Sequence, residues 1–181
     1  MWDVRTIEVT GDEPVTLAEA KFQCRVDGSY EDTFLQRLIS AAREKVENIT
    51  GLLLRAQTVE ITFTGGFPSR LPRAPLTEIT SLTYADAAES AAEFDGFELY
   101  TSFDVPMLRP AIASPHWPSL YPGGMVTITA TGGYAQASDV PQQLRHAILL
   151  LISHWYDHRG ADADVPDAIY HLCNDFRLSR L

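Results

Sequence analysis

Cysteine is scarce, with only Cys24 and Cys173 in 181 residues, too few for a fold built on disulfides. The two lie far apart, each within a helical pattern, and are read as buried free thiols. Long apolar runs are missing too: none approaches the roughly 20 residues needed to span a bilayer. The opening segment MWDVRTIEVTGDEP lacks the basic-then-apolar pattern of a signal peptide, so a cytoplasmic product is expected. Positive charge is in deficit, with 14 Lys and Arg against 24 Asp and Glu and a formal net charge of −10. That balance argues against gripping nucleic acid by neutralising phosphates. No G-x-S-x-G elbow, internal repeat or low-complexity tract is present. Gly65-Gly66 and Gly132-Gly133 extend into neither GxGxxG nor a Walker pattern, so a phosphate cradle is not expected. The 45% hydrophobic content is that of an ordinary globular chain, and the length suits one domain.

Helical periodicity is clearest from Ser138 to Gly160. Val140, Leu144, Ala147, Ile148, Leu151 and Trp155 recur at three- and four-residue steps. Ser138 and Asp139 are candidate caps, Pro141 suits a first turn, and His158, Arg159 and Gly160 mark the end. Leu149, Leu150 and Ile152 point away from the main stripe, so this helix needs cover on a second side. Near the start, Thr16 and Glu19 have capping-box spacing and open a short helix with Leu17, Ala20 and Cys24 on one face. Ser29 and Asp32 repeat the spacing before a helix to about Thr50, striped by Phe34, Leu35, Leu38, Ile39, Ala42, Val46 and Ile49. Gly51 ends it. A last short helix carries Ile169, Leu172, Cys173 and Phe176 behind the linker ADADVP.

Between these helices the period changes to two. Val59, Ile61 and Phe63 alternate with polar residues, and further strands are expected over Glu78–Tyr84, Phe97–Phe103 and Met125–Thr131. Residues 85–90 read as a hairpin tip, and the segment from Pro106 to Gly124, with five prolines, as an irregular loop. Grouped strands flanked by helices predict an α+β fold. Two N-terminal and two C-terminal helices pack together around an inserted antiparallel β block. Within one domain, 1–53 is helical, 54–134 the β block, 135–160 the main helix, and 161–181 the linker and final helix.

Chemistry-bearing residues are few. His154 and His158 stand four apart on a helix, where they could share a metal with Asp157 and Asp162 or Asp164 in a metal-dependent hydrolase. The element is not HExxH, because Trp155 follows His154 and no glutamate is placed as base, so helix-end histidines are the simpler reading. Trp117, Tyr121 and Tyr134 could line a groove in a small ligand-binding module, but filling space under the sheet is the simpler role. No cofactor, metal or catalytic residue is assigned.

Four stretches together carry a family resemblance. They are EPVTLAEAKFQCRVD, EDTFLQRLISAAREKVENITG with Gln57, LPRAPLTEITSLTY, and VTITATGGYAQASDVPQQLRHAILLLISHWYDHR. In this order they resemble the head-to-tail connector (adaptor) proteins of long-tailed bacteriophages and related gene-transfer agents. The hairpin and residues 104–124 do not share in it. The resemblance implies a non-enzymatic virion protein that forms a ring, commonly twelve-fold, beneath the portal. Such a ring bridges portal and tail or stopper proteins around a channel through which double-stranded DNA passes without specific binding. Docking on the portal is implied for residues 166–181, with Ile169, Leu172, Phe176, Arg177, Leu178, Arg180 and Leu181 as contacts. Leu149, Ile152 and Tyr156, on the surplus apolar side of the main helix, are the expected subunit interface. Deletion from Asp167 onward is expected to abolish portal binding and leave a folded subunit.

Overall fold

The computed structural model describes residues 1–102, 104–158 and 164–178. Two compact units emerge, a helical one over Gly11–Arg55 and Tyr134–Arg177 and a β unit built on Met1–Thr10 and Ala56–Gly133.

The helical unit contains α1 (Leu17–Cys24), α2 (Asp32–Thr50), α3 (Gln142–Asp157) and α4 (Asp167–Asn174). Its core is drawn from all four: Ala20 of α1, Leu35, Ile39, Ala42 and Val46 of α2, Leu144, Ala147, Ile148, Leu151 and Ile152 of α3, and Ile169 and Cys173 of α4. Apart from Ile152, these positions belong to the helical stripes of the sequence, and their packing joins the N- and C-terminal helices as expected. The Thr16–Glu19 capping box is present, with each residue's side chain accepting from the other's backbone N–H. Arg25 ends α1 in the left-handed conformation, and Gly51 ends α2 likewise at φ 83°.

Three cap expectations differ. Ser29 does not cap α2, whose N-cap is Glu31. The Asp32 side chain receives Lys21 Nζ at 2.7 Å, and its backbone N–H donates to the Ser29 carbonyl at 3.3 Å. Ser138 and Asp139 lie in a 3-10 turn over Ala137–Asp139, and Pro141 is the N-cap of α3. The helix ends at Asp157, and Arg159 and Gly160 lie outside the described residues.

The β unit holds a five-stranded antiparallel sheet in the order β1 (Trp2–Val9), β2 (Gln57–Thr64), β7 (Met125–Gly132), β3 (Leu76–Ala85), β4 (Ala91–Glu93). A two-stranded ribbon pairs β5 (Phe97–Tyr100) with β6 (Met107–Pro110). The residues before the first helix are thus a full strand in register with β2, running from Trp2↔Phe63 to Val9↔Gln57 with a bulge at Ile7. The Pro-rich segment is also less irregular than expected, since β6 lies within it. Leu108 is buried there, and Pro110 sits at the strand end, where its missing N–H costs no ladder bond. The 85–90 tip forms the β3–β4 hairpin, with Asp86 Oδ1 accepting from Ala88 N and Ser90 N at 2.8 and 2.9 Å. Phe103, expected to end a strand, lies outside the described residues.

Val59, Ile61, Phe63, Leu82, Val126, Ile128 and Ala130 form the apolar face of the sheet. Trp117 stacks flat on Phe67, centroids 4.7 Å apart, with Phe94 and Tyr84 completing a cluster that anchors the loop after β6. No described helix is long and apolar enough to cross a membrane.

Gly132 lies against the turn into β3, where an added Cβ would sit 2.3 Å from the Pro75 carbonyl oxygen. Because that neighbour is backbone, Gly132→Ala should destabilise the protein by roughly 1–3 kcal/mol. An unchanged denaturant midpoint would contradict this packing.

Candidate assembly surfaces

The helical unit is fixed by charge as well as by packing. Arg43, in the middle of α2, has a side chain only 3% exposed. Its Nε donates to Glu13 Oε2 at 2.9 Å, Nη1 to Glu47 Oε2 at 2.6 Å and Nη2 to Glu44 Oε1 at 3.2 Å. The other Glu47 oxygen accepts from the Leu54 N–H at 2.7 Å, and Glu13 Oε1 receives Arg55 Nη1 at 2.8 Å. One guanidinium thereby ties the segments before α1 and after α2 to the middle of α2. A second arginine, Arg145 of α3, donates to the Pro14 carbonyl at 2.9 Å and to Glu19 at 2.6 Å, locking α3 to the cap of α1. Burial pushes the Glu19 carboxyl up, but hydrogen bonds from Thr16 and the charge of Arg145 outweigh it and hold the group below its ordinary value of 4.5.

On this frame the expected contact residues separate into two groups. Ile152 is fully buried and packs the helical core, so it is not an available interface residue. Leu149 is half-buried. Tyr156 is half-buried as well, with its hydroxyl donating to Glu31 and its ring 6.2 Å from Phe34. In α4, Ile169 and Cys173 are buried, and Gln143 of α3 donates to the Leu172 carbonyl at 2.9 Å. Ile169 is therefore core rather than a portal contact, and a deletion from Asp167 would strip the core instead of leaving a folded subunit. Leu172, Phe176 and Leu178 are half-buried and Arg177 exposed; Arg180 and Leu181 lie outside the described residues.

Both cysteines are free. Burial pushes the Cys173 thiol up to about 11, and burial with the charges of Asp157 and Glu31 raises half-buried Cys24. Neither suits nucleophilic chemistry. The His154 and His158 rings lie 4.6 Å apart, but each commits a ring nitrogen to a backbone carbonyl, Asp164 O at 3.0 Å and His154 O at 2.9 Å. Among the described residues no group of three His, Cys, Asp or Glu side chains is arranged to hold a metal, and Asp162 lies outside them. Of the loop aromatics, Trp117 is taken up by its stack on Phe67.

Sequence periodicity missed several well-exposed apolar groups. Phe22 and Tyr30 stand 88% and 102% exposed beside the α1–α2 turn, and Trp2, Ile7 and Val9 are open on β1. The signal for the strand was there, in the alternation of WDVRTIEV. Phe22 also falls off the Leu17–Ala20–Cys24 stripe.

The helical unit is locked by buried Arg43 and half-buried Arg145, and the β unit carries open apolar edges, features suited to assembly with other chains. Comparisons make this specific. Residues 14–93 match the model of the phage gp6-like head-tail connector protein family. A chain in the neck of an empty gene transfer agent (GTA) particle, computed with C6 symmetry, is 25% identical with a TM-score of 0.78, covering 99% of this chain and 97% of that one. A chain of the native GTA virion is 25% identical with a TM-score of 0.76, covering 98% and 96%. A chain of the native neck computed with C12 symmetry is 26% identical with a TM-score of 0.66, covering 98% and 97%. No curated protein matches. The chain is thus similar over residues 14–93 to the phage gp6-like head-tail connector proteins, and over nearly its whole length to chains of GTA particles and their necks.

Two outcomes test this frame. Arg43→Ala leaves Glu47 buried without its cation and should cost roughly 3–5 kcal/mol, whereas Arg43→Met combined with Glu47→Gln should recover most of that loss in a denaturant melt. A single variant as stable as the double would refute it. Because the native Glu19 pKa is depressed, its contribution is complete above pH 4.5 and fades as pH falls through the native value. Glu19→Gln should therefore lower the melting temperature at pH 7 and lose its effect in strong acid; a deficit independent of pH would contradict the assignment.

Proposed function

We propose that this chain is the subunit of an adaptor ring at the head-tail junction of a phage or GTA particle. The ring bridges the portal protein and the tail or stopper proteins, surrounds an axial DNA channel, and performs no catalysis. One observation carries the reading: the likeness to GTA neck chains extends over 98–99% of this chain, both units included. Those necks were computed with C6 and C12 symmetry, which supports a closed ring. A net charge of −10 suits a channel wall past which DNA slides, because it repels phosphate instead of holding it. Subunits made in the bacterial cytoplasm would assemble on the portal, so a monomer in isolation is compatible with the function.

Within this reading, Leu149 and Tyr156 are the α3 residues offered to a neighbouring subunit. Leu172, Phe176, Arg177 and Leu178, with Arg180 and Leu181, are offered to the portal. Removing Arg177 to Leu181 spares the buried Ile169 and Cys173. This truncation should weaken portal binding by at least about tenfold, or 1.4 kcal/mol, with an unchanged circular dichroism spectrum. Full binding by the truncated protein would remove the C-terminal segment from the portal contact.

A further inference from the structure

The five-stranded sheet has two different open edges. One is β1, eight residues long and terminal in the strand order. It carries neither Lys nor Pro, the usual devices that blunt an edge, and only the bulge at Ile7 interrupts it. Trp2 and Val9 are 44% and 41% exposed on the side of the sheet that carries Val59, Ile61 and Phe63, so the apolar face continues to a bare rim. The second open edge is the first half of β3. On its outer side β4 pairs only with Thr83, Tyr84 and Ala85, and Phe94 N donates to Leu82 O. Among the described residues no strand covers the outer side of Leu76–Ser81, where Thr77, Glu78 and Thr80 are exposed.

We propose that β1 of one copy adds to the open half of β3 of the next copy, making the head-to-tail contact of the ring; this rests on the connector reading above. Strand direction agrees. Each successive strand from β1 through β2 and β7 to β3 is antiparallel to the last, so β1 and β3 run in opposite senses. Neighbouring copies in a ring of many subunits keep nearly the same orientation. Side by side they present β1 to β3 as an antiparallel pair, continuing the sheet. The contact joins two unlike surfaces, as a closed ring requires.

Side chains agree as well. In its ladder with β7, β3 places Leu76, Ile79 and Leu82 on the apolar face and Glu78 and Ser81 on the other, with Thr77 and Thr80 at the irregularities. Matching faces sets Val4 against Ile79, Thr6 against Leu76 and Asp3 against Ser81. That register puts Arg5, whose side chain is 73% exposed beside Glu60, directly across from Glu78. Opposite charges meet on the polar face while aliphatic side chains meet on the apolar one.

Directly opposed residues of an antiparallel pair have Cα atoms about 4.5–5.5 Å apart, within disulfide range. Full-length protein carrying Arg5→Cys and Glu78→Cys, assembled on portal rings and oxidised, should give a ladder of disulfide-linked multimers on a denaturing gel. Neither single variant should do so. Rings that form without a ladder would overturn this pairing and leave the connector reading intact. Disulfide-linked dimers from Arg5→Cys alone would overturn it in favour of two β1 edges meeting. Failure of the unsubstituted chain to form rings on the portal would overturn the connector reading, and this inference with it.

Discussion

Arg43 is the constraint on which the helical unit depends. A guanidinium 3% exposed must find carboxylates, and it finds them on its own helix at Glu44 and Glu47 and on the segment before α1 at Glu13. Glu47 in turn holds the backbone of Leu54, and Glu13 holds Arg55, so both segments that adjoin the β unit in sequence are fixed to one point of α2. Buried ion pairs contribute little net stability relative to apolar packing, because desolvation offsets attraction. What this one supplies is geometry, since only one arrangement satisfies all of its partners. A ring subunit needs that property more than it needs stability, because errors in subunit shape accumulate around a ring.

The β unit meets the opposite requirement. Its sheet is buried on the apolar face at β2, β7 and the end of β3, yet among the described residues the outer edges of β1 and of the first half of β3 have no strand partner. In a monomeric protein such edges invite uncontrolled pairing. Here two different edges of compatible direction lie on one sheet, which turns a liability into a specific contact. Rigid helices and reactive sheet edges thus divide the work between the two units.

Much of this was legible in the residues. Helical stripes gave α2, α3 and α4 and their inward faces, because a period of 3.6 is dictated by burial on one side. The Thr16–Glu19 box was read correctly for the same local reason, while α2 starts at Asp32 after Glu31, and the Asp32 side chain pairs with Lys21, eleven residues away in sequence. β1 was undervalued because its alternation is exposed on both faces, and a strand is confirmed only by its partner, Gln57–Thr64, more than fifty residues later. β6 was hidden by the prolines around it. The surplus apolar side of α3 was visible, but its cover was not: Ile152 is taken up by the helical core, while Tyr156 stays half-buried with its hydroxyl held by Glu31, contacts set by tertiary packing. The four stretches that carry the family resemblance gave the connector class. They gave no exposed sheet edge, because an edge is defined by the strand that is missing.

The central claim is that this chain closes into a ring on the portal, and particle mass is its most direct measure. Purified full-length protein mixed with portal rings should shift the complex by a fixed multiple of the subunit mass of 20.1 kDa, with rotational symmetry visible by electron microscopy. A portal that gains no mass, or binds a variable number of copies without symmetry, would contradict the account.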